Sequence, residues 1–267
     1  ISKEVGQRVR GDLAQALEID AILHPDNIRE AIRSLKGHTT PGPDGIPVDV
    51  YKEFQSDDDI IEHLIKLYRG ILRDGRMPED MRTAIVSMIY KNKGDRSDPN
   101  MYRPIAITQA TYRILGRAMA QRLARVIGEM VGTSQIGFRL FRHVGENVHL
   151  LTEILRYCEK DAPEEGGAVF ILDNSKAYDR VQWPFMLAAM RAFGVPDTFC
   201  SMVEAMYTDI SVKLKLNGSL GDAIKVTSGV RQGCPLSALI FLLVQEVLLR
   251  MIAEEERIRG IRIPGPN

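Results

Sequence analysis

The sequence lacks several features that would assign the protein to a class at once. It has no run of eighteen apolar residues, so no segment has the character of a transmembrane helix. Its first twenty residues are charged throughout and contain no apolar signal-peptide core. Its three cysteines, Cys158, Cys200 and Cys234, lie far apart, and its five histidines show no ligand spacing, which argues against a disulfide framework or a zinc site. These absences predict a soluble, intracellular protein with reduced thiols and no membrane segment.

Neither sign of charge dominates the whole chain, but one sign dominates one segment. The formal net charge is zero. Between Arg82 and Arg142, however, there are eleven basic and three acidic residues, so this segment carries +8 and the rest of the chain −8. Such a basic block favours a local site for a polyanion. A solvated, basic helix face is the alternative, and composition does not separate the two.

Internal repeats and low-complexity tracts are also absent, and the periodicity predicts helices mixed with antiparallel strands. Apolar spacing and capping residues predict the helices, while β-branched runs and the turn Asn217-Gly218 predict the strands. The predicted elements are helices at 25–36, 60–74, 108–131 and 235–256, strands at 83–90 and 104–107, a hairpin at 210–229, a buried strand at 167–173 and the start of another strand near 258. Because the pattern has no βαβ regularity, the expected fold class is α+β.

The strand predicted at 167–173 ends in a carboxylate, that of Asp173. A buried strand that ends in aspartate can hold a hard cation, and Mg²⁺ prefers one or two carboxylates together with phosphate oxygens. The next two residues, Asn174 and Ser175, are turn formers, so the alternative is that Asp173 is a helix cap or a turn residue. Taken alone, this segment leaves both interpretations open.

Five short motifs change that balance. They are TPGPDGIPVDVYK at 40–52, IYKNKGDRSDPNMYRPIAI at 89–107, SQIGFR at 134–139, FILDNSKAYDRV at 170–181 and SGVRQGCPLSALIF at 228–241. In this order they resemble the motifs of reverse transcriptases from non-LTR (LINE-type) retrotransposons, and the resemblance covers roughly residues 36 to 263. Group II intron and retroviral enzymes share the fold, but GVRQGCPLS and KAYD are more similar to the LINE branch.

The resemblance implies a right-hand polymerase fold, made of fingers plus an incomplete palm. It places an N-terminal helical extension at 1–19, the fingers at 20–165 and the partial palm at 166–267. The implied reaction is that of an RNA-directed DNA polymerase (a nucleotidyltransferase), in which two Mg²⁺ ions clamp the attacking 3′-hydroxyl and the leaving pyrophosphate. The implied partners are an RNA template and a DNA primer. A retrotransposon product would be nuclear or cytoplasmic.

The resemblance also assigns roles to single residues around the metal and the nucleotide. Asp173 would be the catalytic, metal-binding carboxylate, and the carbonyl of Asn174 would assist it. Tyr178 would be the aromatic gate that leaves no room for a ribose 2′-hydroxyl, with a packed core aromatic as the alternative. Lys176 and Asp179 would be structural.

The fingers and the RQG turn would complete the nucleotide site. Lys91 or Lys93, together with Arg103, would grip the triphosphate, since a lysine point charge and a bidentate arginine suit that task. Gln232 would bond near the sugar. Gly233 would let the backbone approach the substrate, and Arg231 would brace the loop or contact phosphate.

Two further segments would contact the template by resemblance. One is the PGPDG loop, through Pro43, Asp44 and Gly45. The other is the GFR segment, through Gly137, Phe138 and Arg139. Contacts of this kind are with sugar and phosphate, so they are expected to be sequence-independent and salt-sensitive.

The sequence also departs from the family pattern. The aromatic-Ala-Asp-Asp hairpin does not occur, since Asp222 is the last aspartate, and Leu140, Phe141 and Leu242 differ from the usual residues. Because one carboxylate cannot hold two Mg²⁺ ions, this chain alone is expected to be inactive unless a downstream segment or a partner chain completes the palm. The alternative function is a domesticated, catalytically inactive fragment that serves as a structural, nucleic-acid-binding or protein-binding subunit. The near-zero net charge favours this alternative, whereas the nucleotide-site residues favour the enzyme.

Overall fold

A computed structural model describes residues 15–133, 135–138, 142–160 and 168–261. It confirms the α+β class, with helices packed around one mixed sheet. The helices before the sheet include α1 (Ile19–Ile22), α2 (Pro25–Ser34), α3 (Val48–Glu53), α4 (Asp58–Asp74) and α5 (Glu79–Arg82). Within the part of the chain that the structure describes, no helix is long and apolar enough to cross a membrane.

The ends of α2 and α4 follow from their sequences. Pro25 opens α2, and the ring of the preceding His24 accepts a hydrogen bond from the backbone N–H of Asp26. The side chain of Asp57 caps α4 by accepting from two backbone N–H groups of its first turn. Helix α2 was predicted from its start and stop residues and α4 from apolar spacing, and both are confirmed.

The sheet has four strands in the order β2, β1, β3, β4. They are β1 (Thr83–Tyr90), β2 (Tyr102–Ile107), β3 (Ser211–Leu216) and β4 (Ser219–Lys225). The pairs β1–β2 and β3–β4 are antiparallel hairpins, as predicted, while β1 and β3 run parallel. The β3–β4 turn has positive φ at both Asn217 and Gly218, the geometry that an Asn-Gly hairpin requires.

Within the described residues, five further α-helices follow β2, and four of them contribute buried residues to the core. They are α6 (Ala110–Met130), α7 (Gly145–Lys160), α8 (Trp183–Ala192), α9 (Asp197–Tyr207) and α10 (Ser237–Glu254). Helix α6 is buried along most of its length, and it packs against α2 and α10. Buried Glu246 of α10 accepts from the backbone N–H of Gly132 and from Arg250, which fixes α10 to the end of α6. Helix α7, in contrast, has no buried residue.

Two sequence predictions about strands are wrong for the described residues. Residues 168–173 form no strand, and the side chains of Phe170, Ile171 and Leu172 are 83%, 89% and 78% exposed. An apolar run indicates that a segment seeks burial but does not supply the neighbouring strand, and the expected Asp-Asp hairpin is not in the sequence. The strand predicted near 258 is likewise absent from 258–261, and its remainder lies outside the described residues.

Candidate functional site

The KAYDRV and SGVRQG motifs lie against each other, and we refer to residues 176–181 and 228–233 together as the junction. The backbone N–H of Gly229 donates to the carbonyl of Val181 at 2.7 Å, and that of Val230 donates to the carbonyl of Tyr178 at 2.9 Å. The hydroxyl of Ser228 donates to the carbonyl of Asp179 at 3.1 Å. Two motifs that are fifty residues apart in sequence therefore form one hydrogen-bonded unit.

Arg231 occupies the bracing position at the junction. Its side chain is buried, with 7% of the residue exposed, and its guanidinium donates to the carbonyl of Arg82 at 2.9 Å. The guanidinium carbon lies 4.7 Å from the centre of the Tyr112 ring, within the range of a cation–π contact. An arginine precedes the buried helix because its charged group fastens the turn to α5 and α6.

Gln232 and Gly233 dock on the free edge of β2. The carbonyl of Gln232 accepts from the backbone N–H of Ala106 at 2.9 Å. Gly233 has φ of 113°, and a Cβ atom placed there would lie 2.8 Å from the carbonyl oxygen of Ala106. The resemblance explained Gly233 by the approach of a substrate. The structure adds a second reason, which is the close approach to strand β2 of the protein itself, while the approach of a substrate stays a prediction.

Asp173 and Asn174 lie at the rim of an open cleft of about 530 Å³. The Asn174 amide donates to Oε1 of Gln245 in α10 at 3.0 Å. The Asp173 carboxylate is exposed, and none of the described residues forms a hydrogen bond or ion pair with it. The carboxylate is thus open to a ligand, while its neighbour is tethered to a helix.

Tyr178 is half-buried beside this cleft. Its ring packs against Phe241 of α10 with 5.0 Å between ring centres, and burial raises the pKa of its hydroxyl. The ring contacts therefore agree with the alternative interpretation, in which Tyr178 is a packed core aromatic. The gate role requires a bound sugar and stays a prediction.

The two lysines of the basic loop between β1 and β2 differ in their contacts. Nζ of Lys91 donates to the carbonyl of Asn100 at 2.7 Å, so this ammonium closes the loop. Lys93 and Arg103 are exposed, and neither side chain has a hydrogen-bonding or ionic partner in the described ranges. Of the three predicted triphosphate contacts, Lys93 and Arg103 are the two free cations.

Several arginines of the basic block bond to other parts of the protein. Arg117 donates to Ser34 and Arg122 to Asn27, and Arg125 forms an ion pair with Glu30, so all three attach α6 to α2. Arg113 donates to Thr39, and desolvation lowers its pKa despite the opposing effect of Asp44 and Asp49. Much of the +8 charge is therefore engaged within the protein. Lys93 and Arg103, which have no such side-chain partner among the described residues, lie in the β1–β2 hairpin.

The predicted template contacts lie on exposed loops. Pro43, Asp44 and Gly45 form a turn in which the N–H of Gly45 donates to the carbonyl of Gly42 at 3.0 Å. Gly137 and Phe138 are also exposed, and Phe138 has φ of 57°. Arg139, like the neighbouring Leu140 and Phe141, lies outside the described residues.

Residues 15–133, 135–138, 142–160 and 168–261 contain no group of three or more His, Cys, Asp or Glu side chains that could hold a metal ion. Asp173 supplies one suitable oxygen donor, and the side chain of Asn174 is engaged by Gln245. The described residues alone therefore do not fit a two-metal site.

Comparison with known protein families shows to which family the chain belongs. The sequence profile described as "Reverse transcriptase (RNA-dependent DNA polymerase)" matches residues 89–262. The chain belongs to the reverse transcriptase family. Its relatives include proteins of transposons and retrotransposable elements, in agreement with the motifs.

Three relatives illustrate the similarity of this reverse transcriptase domain. The chain is 26% identical over 91% of its length to the "Transposon TX1 uncharacterized 149 kDa protein" of Xenopus laevis, of which it covers 18%. It is 30% identical over 86% of its length to the "Retrovirus-related Pol polyprotein from type-1 retrotransposable element R2" of Nasonia vitripennis, of which it covers 21%. It is 24% identical over 89% of its length to the "RNA-directed DNA polymerase from mobile element jockey" of Drosophila funebris, of which it covers 25%. The chain thus spans between a sixth and a third of the curated relatives it matches.

Among solved structures, the reverse transcriptase domain is similar to a chain of a "Partial Cas6-RT-Cas1--Cas2 complex". The similarity covers 88% of this domain and 34% of that chain, with a TM-score of 0.49 and 16% sequence identity.

Three residues that contact the candidate site were missed by the sequence reasoning. Gln245 binds Asn174, Tyr112 receives the Arg231 guanidinium, and the indole N–H of Trp183 donates to the carbonyl of Gly229 at 2.9 Å. Each lies in a helix whose apolar pattern hides its polar contact. The position of Gln245 inside an apolar helix was the one available signal, because a polar residue there needs a partner.

Proposed function

We propose that this reverse transcriptase domain binds a deoxynucleoside triphosphate, an RNA template and a DNA primer during RNA-directed DNA synthesis. The observation that supports this proposal is the junction, which joins the Tyr178 and Gln232 motifs and fastens them to β2. The same strand β2 carries Arg103, so the proposed sugar contact and the proposed phosphate contact belong to one framework.

The charge distribution supports one direction for the bound nucleotide, with its triphosphate and its sugar facing different residues. Arg103 is three residues from Ala106, which binds Gln232, and three strand residues span about 10 Å. The triphosphate would lie towards the free cations Arg103 and Lys93, and the sugar towards Gln232 and Tyr178. Arg231 would act through the loop that it braces, since its guanidinium is engaged by Arg82 and Tyr112.

Divalent metal ions are the general cofactors of this family, and we propose Mg²⁺ for this member. Asp173, with the carbonyl of Asn174, would contribute ligands, and the remaining carboxylates would come from a further segment or a partner chain. The exposed apolar residues beside Asp173 support such a completing neighbour, since exposed apolar surface of this kind marks a contact site. We also propose the domain bounds 1–19, 20–165 and 166–267, the template contacts of both loops, and a nuclear or cytoplasmic location.

The test compares two arginines of the basic block by nucleotide and template–primer binding. Arg103→Ala removes a free cation, whereas Arg117→Ala removes a cation already bonded to Ser34. Trp183 is the single tryptophan and lies at the junction, so its fluorescence reports binding in both variants. Loss of one charged hydrogen bond is expected to weaken binding roughly tenfold or more in Arg103→Ala, with little change in Arg117→Ala.

The opposite results have definite meanings. Equal affinities of Arg103→Ala and the unaltered chain would exclude Arg103 as a phosphate contact. If the unaltered chain bound neither nucleotide nor template–primer, the domesticated structural fragment would replace the polymerase domain as the preferred function.

A further inference from the structure

We propose that Asp179 is a positioning residue that sets the orientation of the Gln232 amide, so that Gln232 presents its carbonyl oxygen to a hydroxyl group of the nucleotide sugar. This inference rests on the proposed nucleotide site and assigns a specificity role to a residue that the motifs left as structural. The contact that motivates it joins Nε2 of Gln232 to Oδ1 of Asp179 at 3.4 Å.

The backbone of Asp179 is held on both sides of this contact. Its N–H donates to the carbonyl of Lys176 at 3.0 Å, and its own carbonyl accepts from the hydroxyl of Ser228. The flanking residues Tyr178 and Val181 bind Val230 and Gly229 through their carbonyls. The carboxylate therefore projects from a fixed turn.

The backbone of Gln232 is held as firmly. Its carbonyl binds the N–H of Ala106, and the adjacent Gly233 has no room for a side chain beside the Ala106 carbonyl. On the other side, buried Arg231 is fastened to Arg82. The side chain of Gln232 thus starts from a fixed position, and its remaining freedom lies in its rotamer and in the direction of its amide.

The chemistry of the pair decides that direction. An ionised carboxylate only accepts hydrogen bonds, whereas a glutamine amide has one end that donates and one that accepts. The end that faces Asp179 must therefore be the NH₂ group, which leaves Oε1 free. Oε1 can only accept, so its ligand must bring a donor such as a sugar hydroxyl.

The charge of Asp179 supports a sugar over a phosphate at this point. A carboxylate within hydrogen-bonding distance of Gln232 disfavours a second anion nearby. The cations that suit phosphate, Lys93 and Arg103, lie on the β1–β2 hairpin. Asp179 would thereby help to keep the sugar, and not the triphosphate, next to Gln232, in addition to orienting the amide.

The experiment measures the preference for a sugar hydroxyl, which a purely structural role would not change. Binding of a deoxynucleoside triphosphate and of its 2′,3′-dideoxy analogue is followed through Trp183 fluorescence, with template–primer and Mg²⁺ present. We expect the unaltered chain to prefer the hydroxyl-bearing nucleotide by about 2- to 12-fold, the range for one neutral hydrogen bond. Asp179→Ala is expected to lose this preference.

The decisive variant exchanges the amide and the carboxylate between positions 179 and 232. In Gln232→Glu alone, two carboxylates face each other, so the preference should disappear. In Asp179→Asn/Gln232→Glu, the asparagine NH₂ can donate to the glutamate, whose second oxygen remains an acceptor, so the preference should return. Asp222→Ala, at an exposed aspartate of β4, is the matched control and should behave like the unaltered chain.

Three results would overturn the inference. An unchanged preference in Asp179→Ala would do so, and so would an equal loss of affinity for both nucleotides, which would mean a merely structural contact. Failure of the double variant to recover the preference would also contradict it. The Gln232 side-chain amide resonance should move in Asp179→Ala even without nucleotide. A moved resonance in a chain that binds no nucleotide would mean that the proposed function had failed and not the contact itself.

Discussion

Replacing Gly233 with alanine tests whether the RQG turn is fixed by β2. At φ of 113°, an L-residue is strained, which costs about 1–3 kcal/mol. The new Cβ atom would also lie 2.8 Å from the Ala106 carbonyl oxygen, so the turn would have to withdraw. Withdrawal would weaken the bond from the Ala106 N–H to the Gln232 carbonyl, at a further cost of about 0.5–1.5 kcal/mol. We therefore expect the free energy of unfolding to fall by about 2–4 kcal/mol.

The assay is equilibrium urea unfolding followed by circular dichroism, with Gly218→Ala as the matched control. Gly218 has φ of 88°, but nothing lies within 4 Å of a Cβ atom placed there. Both variants share the backbone strain, and only Gly233→Ala adds the contact with β2. If the two variants lost equal stability, the close approach between the turn and the strand would be refuted.

The remaining predictions concern the braced arginine and the thiols. Arg231→Ala should lower the free energy of unfolding by about 2–4 kcal/mol because it removes a buried hydrogen bond and a ring contact. Arg231→Lys should restore less than half of this loss, since an ammonium group cannot stack on the ring. Full recovery of stability in Arg231→Lys, measured by urea unfolding, would contradict this prediction. Burial raises the pKa of the Cys200 thiol from 9.0 to about 11, so at pH 8 a thiol reagent should label half-buried Cys158 and spare Cys200 until the chain unfolds. Because the folded-state pKa is raised, the stabilisation from Cys200 is complete below pH 9 and is lost between about pH 9 and 11. A Cys200→Ala variant that kept the same loss of stability over this pH range would show that other groups cause it.

Local sequence rules predicted elements whose signals are local. The strand at Thr83–Tyr90 and the Asn217-Gly218 hairpin are confirmed, because β-branched runs and a turn that requires positive φ act within a few residues. The four predicted helices are confirmed because apolar spacing and capping residues are local signals too, whereas α8 and α9 were not predicted. The wrong strand at 168–173 shows the limit of these rules, since a strand needs a neighbour that its own sequence does not contain.

Charge was harder to interpret than periodicity. A count of basic residues identifies a block, but it cannot show whether an arginine such as Arg122 faces solvent or, as here, Asn27 on another helix. Partners of this kind are about ninety residues away in sequence and depend on how α6 packs against α2. Lys93 and Arg103 can be recognised as cations without a side-chain partner only when the structure shows which basic residues are already paired.

The RQG turn divides three tasks among three adjacent residues, and this division has a consequence for mutagenesis. Arg231 fastens the turn to α5 and α6, Gly233 allows it to touch β2, and the side chain of Gln232 carries the proposed ligand contact. Substitutions at Arg231 and Gly233 should therefore change stability and nucleotide affinity together, because both act on the position of the turn. Substitutions at Gln232 and Asp179 should change sugar discrimination while stability changes little, because both side chains border solvent. Parallel measurements of unfolding and binding on these four positions would separate support from recognition, and a Gln232 variant that unfolded as readily as Gly233→Ala would show that the division is wrong.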